Sequence, residues 1–367
     1  MKNSFGNNVI LTLFGESHGP AVGAVIDGLS PGIPVDESFI ASQLDLRRPL
    51  DGLGTARRER DRFSIVSGVY RGLTTGAPLC VMIPNEDARS GDYAGLEDLP
   101  RPGHADYAAR CRYGGFRDPR GGGRFSGRLT APIVAAGAVV IPALRARGIL
   151  IGTHILRCGG VADRPFAENP AADIDALSRR PFAVLDEAAG EAMDRRIRQA
   201  AEKGDSVGGV LETAVVGLPA GLGEPWFDTV EGSLSHALFS IPAVKGVQFG
   251  AGFDMADAPG SSFNDPFHVE NGRVVTATNH NGGVNGGLTN GMPVVFRCMV
   301  KPTPSIRLPQ RTVDLGRMED ATLELSGRHD PCILPRARVV ADSVTALVLC
   351  DLLTGRYGAD YLGGAGQ

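Results

Sequence analysis

Arg117-Asp118-Pro119-Arg120-Gly121-Gly122-Gly123-Arg124-Phe125-Ser126-Gly127-Arg128 runs without a break into the apolar stretch Leu129 to Leu144. Three consecutive glycines among four arginines read as a loop whose backbone N–H groups come close to a ligand, because glycine has no side chain in the way and adopts positive φ freely. Thr130 to Arg147 reads as a helix, in which Ala135, Ala136, Gly137 and Ala138 let a neighbouring element approach closely. The N-terminal end of a helix carries free N–H groups and a positive dipole end, so the join is an expected anion site, and phosphate is the expected anion. The apolar stretch contains Pro132 and Pro142 and lies between Arg128 and Arg145. It falls short of the ~20 residues a membrane span needs, so it reads as a core helix.

Outward from that helix the chain mixes strands and helices. Val9 to Phe14 and Val22 to Ile26 read as strands on either side of a polar loop. Phe63 to Tyr70, Ala77 to Ile83, Ile149 to Leu156, Gly208 to Gly217 and Gly246 to Gly250 have the same β-rich character. Helices are expected at Asp36 to Leu46, capped by Asp36 or Ser38, and at Leu185 to Lys203, Val230 to Leu238 and Val339 to Leu353. Asn85 to Arg124 has no clear periodicity, and a stretch of that length inside a compact domain is functional or disordered. Its aromatics and mixed charge argue for order. Ala162 to Pro181 reads as a surface excursion. Interspersed elements with short glycine turns indicate an α+β fold with antiparallel sheets rather than a doubly wound one. No repeat, linker or compositional step divides residues 1–367, which read as a single catalytic domain.

Composition narrows the partners. The 367 residues carry 37 Lys+Arg against 41 Asp+Glu, a formal charge of -4. No basic excess points to nucleic acid or to an anionic membrane. Only Lys2, Lys203, Lys245 and Lys301 are lysines, so arginine dominates the cations. Codon usage explains an arginine excess as a whole, but not its placement inside glycine-rich runs. Arginine offers a planar fork that suits phosphate and carboxylate. The six cysteines form no C-x-x-C pair. Met1 to Gly6 leads straight into a strand-like segment without the pattern of a signal peptide. Reduced thiols and a cytoplasmic location are expected.

Three further segments carry candidate chemistry. Gly15-Glu16-Ser17-His18-Gly19 and Arg101-Pro102-Gly103-His104-Ala105-Asp106 each place a histidine on a glycine turn. A turn histidine is either a proton-transfer group or simply solvated, and two of them favour the first. Gly327-Arg328-His329-Asp330-Pro331-Cys332 gathers a base, an acid and a cation, although Asp-Pro also makes an ordinary turn. Asn279 to Gly291 is a second glycine-rich loop, followed by Lys301-Pro302-Thr303-Pro304-Ser305. The seven histidines do not fall at metal-ligand spacings, so no metal is expected. Neither a Walker loop nor a G-x-G-x-x-G fingerprint is present. The residues alone therefore give an anion-binding pocket with two or three proton-transfer candidates, and leave the reaction open.

Together these segments resemble the chorismate synthase family. Gly15 to Gly19, Arg101 to Asp106 with Gly121 to Arg124, and Gly327 to Cys332 are similar to its three signatures. Asp205 to Gly209, Gly221 to Pro225 and Ser240 to Gly246 also match, and the resemblance runs from about Ser4 to Leu353. It implies a β-α-β sandwich, with helices packed between antiparallel sheets, assembled as a homotetramer. It implies a 1,4-anti elimination of phosphate from 5-enolpyruvylshikimate 3-phosphate, giving chorismate in aromatic amino acid biosynthesis, with reduced FMN lending electron density. It implies His104 as the group that protonates reduced flavin or holds its anionic form, His18 as the acid for departing phosphate, Asp330 as the base acting through the flavin, and Ser17 as an aid to that relay. Arg124, Phe125, Ser126, Pro242, Ala243, Gly286, Lys301, Pro302, Thr303, Pro304, Ser305 and Arg328 match cofactor-contacting positions. Arg47, Arg48, Arg57 and Arg120 match segments tied to phosphate or NADPH. Phe125 departs from the family's usual serine, so a hydroxyl contact there is lost. NADPH serves some members as reductant and a separate flavin reductase serves others; the compact length favours the second.

Overall fold

A computed structural model describes residues 2–50, 53, 60–86, 97–178, 180–325 and 330–363. Among the described residues, ten strands form two antiparallel sheets. They are β1 (Ser4–Phe5), β2 (Ile10–Gly15), β3 (Ala21–Asp27), β4 (Ser64–Ser67), β5 (Leu79–Pro84), β6 (Leu150–Cys158), β7 (Val161–Ala162), β8 (Gly209–Val216), β9 (Val244–Phe249) and β10 (Val294–Val300). The first sheet has the order β1-β2-β3-β5-β4 and the second β9-β10-β8-β6-β7. Alternation sets the register. Val22, Ala24 and Ile26 on β3 and Leu79, Val81 and Ile83 on β5 are all fully buried, and Val22 pairs with Ile83, Ala24 with Val81, Ile26 with Leu79.

Seven helices among the described residues accompany the sheets: α1 (Glu37–Leu46), α2 (Asp106–Arg112), α3 (Thr130–Ala146), α4 (Ala171–Leu177), α5 (Glu187–Glu202), α6 (Val230–Leu238) and α7 (Leu334–Tyr357). Helix α3 packs on β3 and β5, α7 packs on β6 and β8, and the two helices pack on each other. The sandwich expected from the sequence is thus present, with helices between antiparallel sheets. Gly137 is where α3 and α7 come closest: a methyl group there would lie 2.4 Å from Ser343 Cβ and 2.6 Å from its Cα. Alanine at this position would force the helices apart, so the small-residue run is a packing device.

Several local expectations change. Asn85 to Arg124 is not irregular throughout, because it contains α2, a helix of seven residues. Ala162 to Pro181 contains α4, which buries Ile174 and Leu177 against β6. Phe63 to Tyr70 is not one strand, since Gly68 at φ +85° interrupts it. The last helix begins five residues before Val339 and ends four after Leu353. Asp36 caps α1 by accepting from the N–H groups of Ser38 and Phe39 at 2.9 and 3.0 Å. Two solvent-facing hairpins, Phe267–Glu270 with Arg273–Thr276 and Gln310–Asp314 with Glu319–Leu323, have no counterpart in the expectations from sequence. Counted with the turn before it, the apolar helix runs Gly127–Ala146 and is long and apolar enough to cross a bilayer, but 78% of its most apolar stretch is buried inside the fold. Burial, not length, marks it as a core helix.

Candidate active site

The loops singled out by sequence meet at the triple-glycine turn. Gly121, Gly122 and Gly123 have φ of +61°, +99° and +51°. Only glycine adopts such a run without strain. The turn also leaves no room for side chains. A methyl group on Gly121 would lie 2.3 Å from His18 Nε2 and 3.1 Å from Ser17 Oγ. One on Gly122 would lie 3.2 Å from His104 Cε1 and 3.4 Å from His104 Nε2. The two imidazoles therefore rest on consecutive residues of one turn.

Each imidazole is held from behind. Ser17 is fully buried; its N–H donates to Gly123 O at 3.3 Å and its hydroxyl donates to Arg120 O at 3.4 Å. The Asn85 amide donates to Glu16 O and Gly19 O at 2.9 and 2.8 Å, fixing the His18 loop. On the other side, His104 Nδ1 lies 2.9 Å from Asp106 Oδ1. Arg101 grips the same carboxylate, Nε to Oδ2 at 2.7 Å and Nη2 to Oδ1 at 2.9 Å. Burial pushes the Asp106 carboxyl up, but hydrogen bonds from Arg101 and His104, with their charges, outweigh it and hold it well below the usual carboxylate range.

The second sheet closes the site. Lys301 Nζ donates to Gly103 O, and the Lys301 N–H donates to Ala243 O at 2.9 Å. Ser206 Oγ donates to Thr303 O at 2.7 Å, and the neighbouring Val207 N–H donates to Pro331 O at 2.8 Å. A chain of contacts thus links the His18 loop, the glycine turn, the His104 loop, Lys301 to Pro304, and Asp330-Pro331. A family model described as chorismate synthase matches residues 9–354. The chain belongs to the chorismate synthase family.

The chain is 47% identical to the chorismate synthase of Thermococcus kodakarensis over 351 residues, covering 96% of this chain and 97% of that relative. It is 48% identical to that of Pyrococcus abyssi over the same length and shares. It is 46% identical to that of Dehalococcoides mccartyi, covering 96% of each. A chorismate synthase crystal structure superposes with a TM-score of 0.77 at 29% identity, covering 97% of this chain and 94% of the other. As a chorismate synthase the chain is a lyase of the shikimate pathway.

The arginines near the site divide into two groups. Arg47 is buried and directed into the fold: Nε donates to Thr130 Oγ1 at 2.9 Å, Nη1 to Asp61 at 3.0 Å and Nη2 to Gly127 O at 3.0 Å. Arg128 is buried too, with Nε on Asn85 Oδ1 at 2.8 Å, Nη2 on Pro84 O at 3.0 Å and Nη1 on Asp61. Arg47 thus lies beside the start of α3, where the sequence suggests an anion. The glycines lie inside the turn Arg120–Phe125, and a second turn, Gly127–Leu129, stands between them and α3, whose first residues are buried. The outer group is different. Arg120 chelates Asp118 at 2.8 and 2.7 Å, Arg124 donates to Asn3 Oδ1 at 2.8 Å, and Arg48 pairs with Asp45 at 2.8 Å. Arg57 and Arg328 lie outside the described residues.

Phe125 is half-exposed with its ring 6.4 Å from Tyr113, and the Ser126 hydroxyl accepts from the Arg128 N–H at 3.2 Å. Pro242 and Ala243 form the turn before β9, with Ala243 at φ +75°. Asp330 pairs with Arg336, whose Nε donates to Arg47 O at 2.8 Å, and the adjoining Cys332 is buried 3.8 Å from Cys158 Sγ. From sequence, Asp106 stands out only as a neighbour of His104, and Asp61, Asn85 and Arg336 receive no role. The Arg-x-x-x-x-Asp spacing of Arg101 and Asp106 is the local signal; the others are joined across long separations that periodicity does not show.

Proposed function

We propose that the chain carries out its reaction, the 1,4-anti elimination of phosphate from 5-enolpyruvylshikimate 3-phosphate to give chorismate, with reduced FMN beside the triple-glycine turn. The observation that carries this reading is the seating of His18 and His104 on Gly121 and Gly122. Two features fit a flavin. Thr303 Oγ1 is buried with no hydrogen-bond partner among the described residues, and the space a side chain would fill at Gly286 is open. Arg124 to Ser126, Pro242-Ala243, Gly286 and Lys301 to Ser305 are the residues that would hold it. Reduced flavin supplies the electron density that lets the carbon–oxygen bond to phosphate break before an unacidic carbon–hydrogen bond does.

The protein residues handle the protons. His18 Nε2 donates to the leaving phosphate, and Ser17 steadies it through Arg120 O. His104 holds a proton at Nε2 on the cofactor side of the turn. Asp330 accepts the proton that the substrate loses. Arg48 and Arg120 draw the phosphate in; the half-exposed Arg120 guanidinium exchanges Asp118 for a phosphate oxygen. Arg47 acts as a brace for Asp61 and Gly127. Residues 1–367 work as one catalytic unit, in a cytoplasmic homotetramer supplied with reduced flavin by a separate reductase.

The test is an anaerobic assay with dithionite-reduced FMN and the enolpyruvyl phosphate. Chorismate and phosphate are expected in equal amounts with the flavin still reduced. Flavin oxidised in step with product would replace this reading with a net redox reaction. NADPH with oxidised FMN should give no product, and light scattering should give four times 38.5 kDa.

A further inference from the structure

We propose that Asp106 is the positioning residue of His104, fixing which ring nitrogen faces the site. The proposal rests on the reading of His104 as a proton-holding group.

Two neighbours approach His104 Nδ1: Asp106 Oδ1 at 2.9 Å and Arg101 Nη2 at 3.2 Å. One nitrogen cannot serve both. It carries either a proton, which the carboxylate accepts, or a lone pair, which the guanidinium would use. Arg101 Nη2 already donates to Asp106 Oδ1 at 2.9 Å, and an ionised carboxylate only accepts. The proton therefore sits on Nδ1, and Nε2 is the nitrogen presented to Gly122. The carboxylate cannot swing away, because the Arg101 N–H at 3.1 Å and Nε at 2.7 Å both hold Oδ2.

Arg117 Nη1 also lies 4.0 Å from Asp106 Oδ1, a further cation on the carboxylate that meets the ring. A role in capping α2 does not account for it: the cap position is Ala105, which makes no side-chain cap bond, and the Asp106 carboxylate turns back to the loop instead.

Asp106→Asn in the full-length protein should lower kcat at least tenfold. KM for the enolpyruvyl phosphate and the Kd for FMN should stay within twofold. Asp106→Glu should restore part of kcat. An unchanged kcat, or a loss that falls on KM rather than on kcat, overturns the proposal. In a His104→Ala background, Asp106→Asn should have no further effect on kcat; a multiplied loss also overturns it. Full activity in His104→Ala alone strikes the underlying reading instead. Should Asp106→Asn fail to fold, the wild type labelled with 15N-histidine gives the answer. Above the titration of the ring, His104 should show the proton on Nδ1, its signal assigned by loss in His104→Gln. A proton on Nε2 refutes the assignment.

Discussion

His104 and His154 are built from the same starting contact and end in opposite roles. Each places Nδ1 on an aspartate, His104 on Asp106 at 2.9 Å and His154 on Asp163 at 3.0 Å. The difference is the other nitrogen. His154 Nε2 meets Glu212 Oε2 at 3.0 Å, and the ring, carried by β6 opposite Glu212 on β8, is fully buried. His104 Nε2 faces the backbone of Gly122, at the meeting point of loops. A histidine clamped at both nitrogens is a structural cation, since neither nitrogen can pass a proton to a ligand without breaking a buried pair. One held at a single nitrogen is oriented and still available. Burial alone would lower the His154 pKa, yet the hydrogen bonds to Asp163 and Glu212 outweigh burial and raise it.

The largest effect that tests this contrast is His104→Ala. Turnover should fall by about 10²–10⁴-fold, the usual contribution of an acid–base group, with the melting temperature little changed. Steady-state kinetics beside thermal unfolding reads both quantities. His154→Ala should do the reverse. It takes the shared imidazole away from two buried carboxylates, and breaking a buried pair in this way costs about 3–5 kcal/mol. Chemical unfolding should show that loss, while kcat per folded molecule stays near wild type. A catalytic defect in His154→Ala without instability would erase the distinction.

The two histidines also differ in how far the sequence discloses them. His104 sits in a compact run, Arg101 to Asp106, where its partners are at most three residues away. His18 is legible for the same reason, as are the glycines that seat both rings. Asp163 lies nine residues from His154 across β7, and Glu212 lies 58 away on a paired strand, so only the register of β6 against β8 brings them together. Arg47 depends on distant partners as well. Its arginine-rich surroundings suggest a ligand, and its contacts with Asp61 and the turn before α3 come from tertiary packing that the sequence does not display. Helix α2 is hidden in the sequence because seven residues contain too few turns to display a period.

Acidity separates the regions next. The His154 pKa is raised from 6.5, so its contribution to stability is complete below that value and declines as pH rises through the raised one. Asp163 and Glu212 are lowered: burial opposes this, and the hydrogen bonds from His154 and backbone N–H groups prevail. Their contributions are present above 3.8 and 4.5 and are lost as pH falls through the depressed values. The cluster should therefore stabilise most between those limits. Above pH 6.5 stability should decline by at most about 1.4 kcal/mol per pH unit from this group. In His154→Gln that decline should shrink in urea titrations run from pH 5 to 9, and an unchanged slope would assign it to other groups.

The smallest effect probes who supplies the positive charge in the buried cluster. Arg297 Nε donates to Glu212 Oε1 at 2.9 Å, but its side chain is 28% exposed while that of Glu212 is 1% exposed. Arg297→Met removes this donor and leaves Glu212 Oε2 with His154 Nε2 and the Phe166 N–H at 2.9 Å. Water reaches the vacated side, so the loss should be about 1 kcal/mol, well below that of His154→Ala. The acid limb of stability should move slightly to higher pH, because Arg297 is one of the groups holding the Glu212 carboxyl down. A loss as large as that of His154→Ala would mean that guanidinium and imidazole share the two carboxylates as one unit. The buried cluster would then match the arrangement at His104, where Asp106 is shared between Arg101 and the ring, and the free nitrogen alone would separate a structural histidine from one that moves protons.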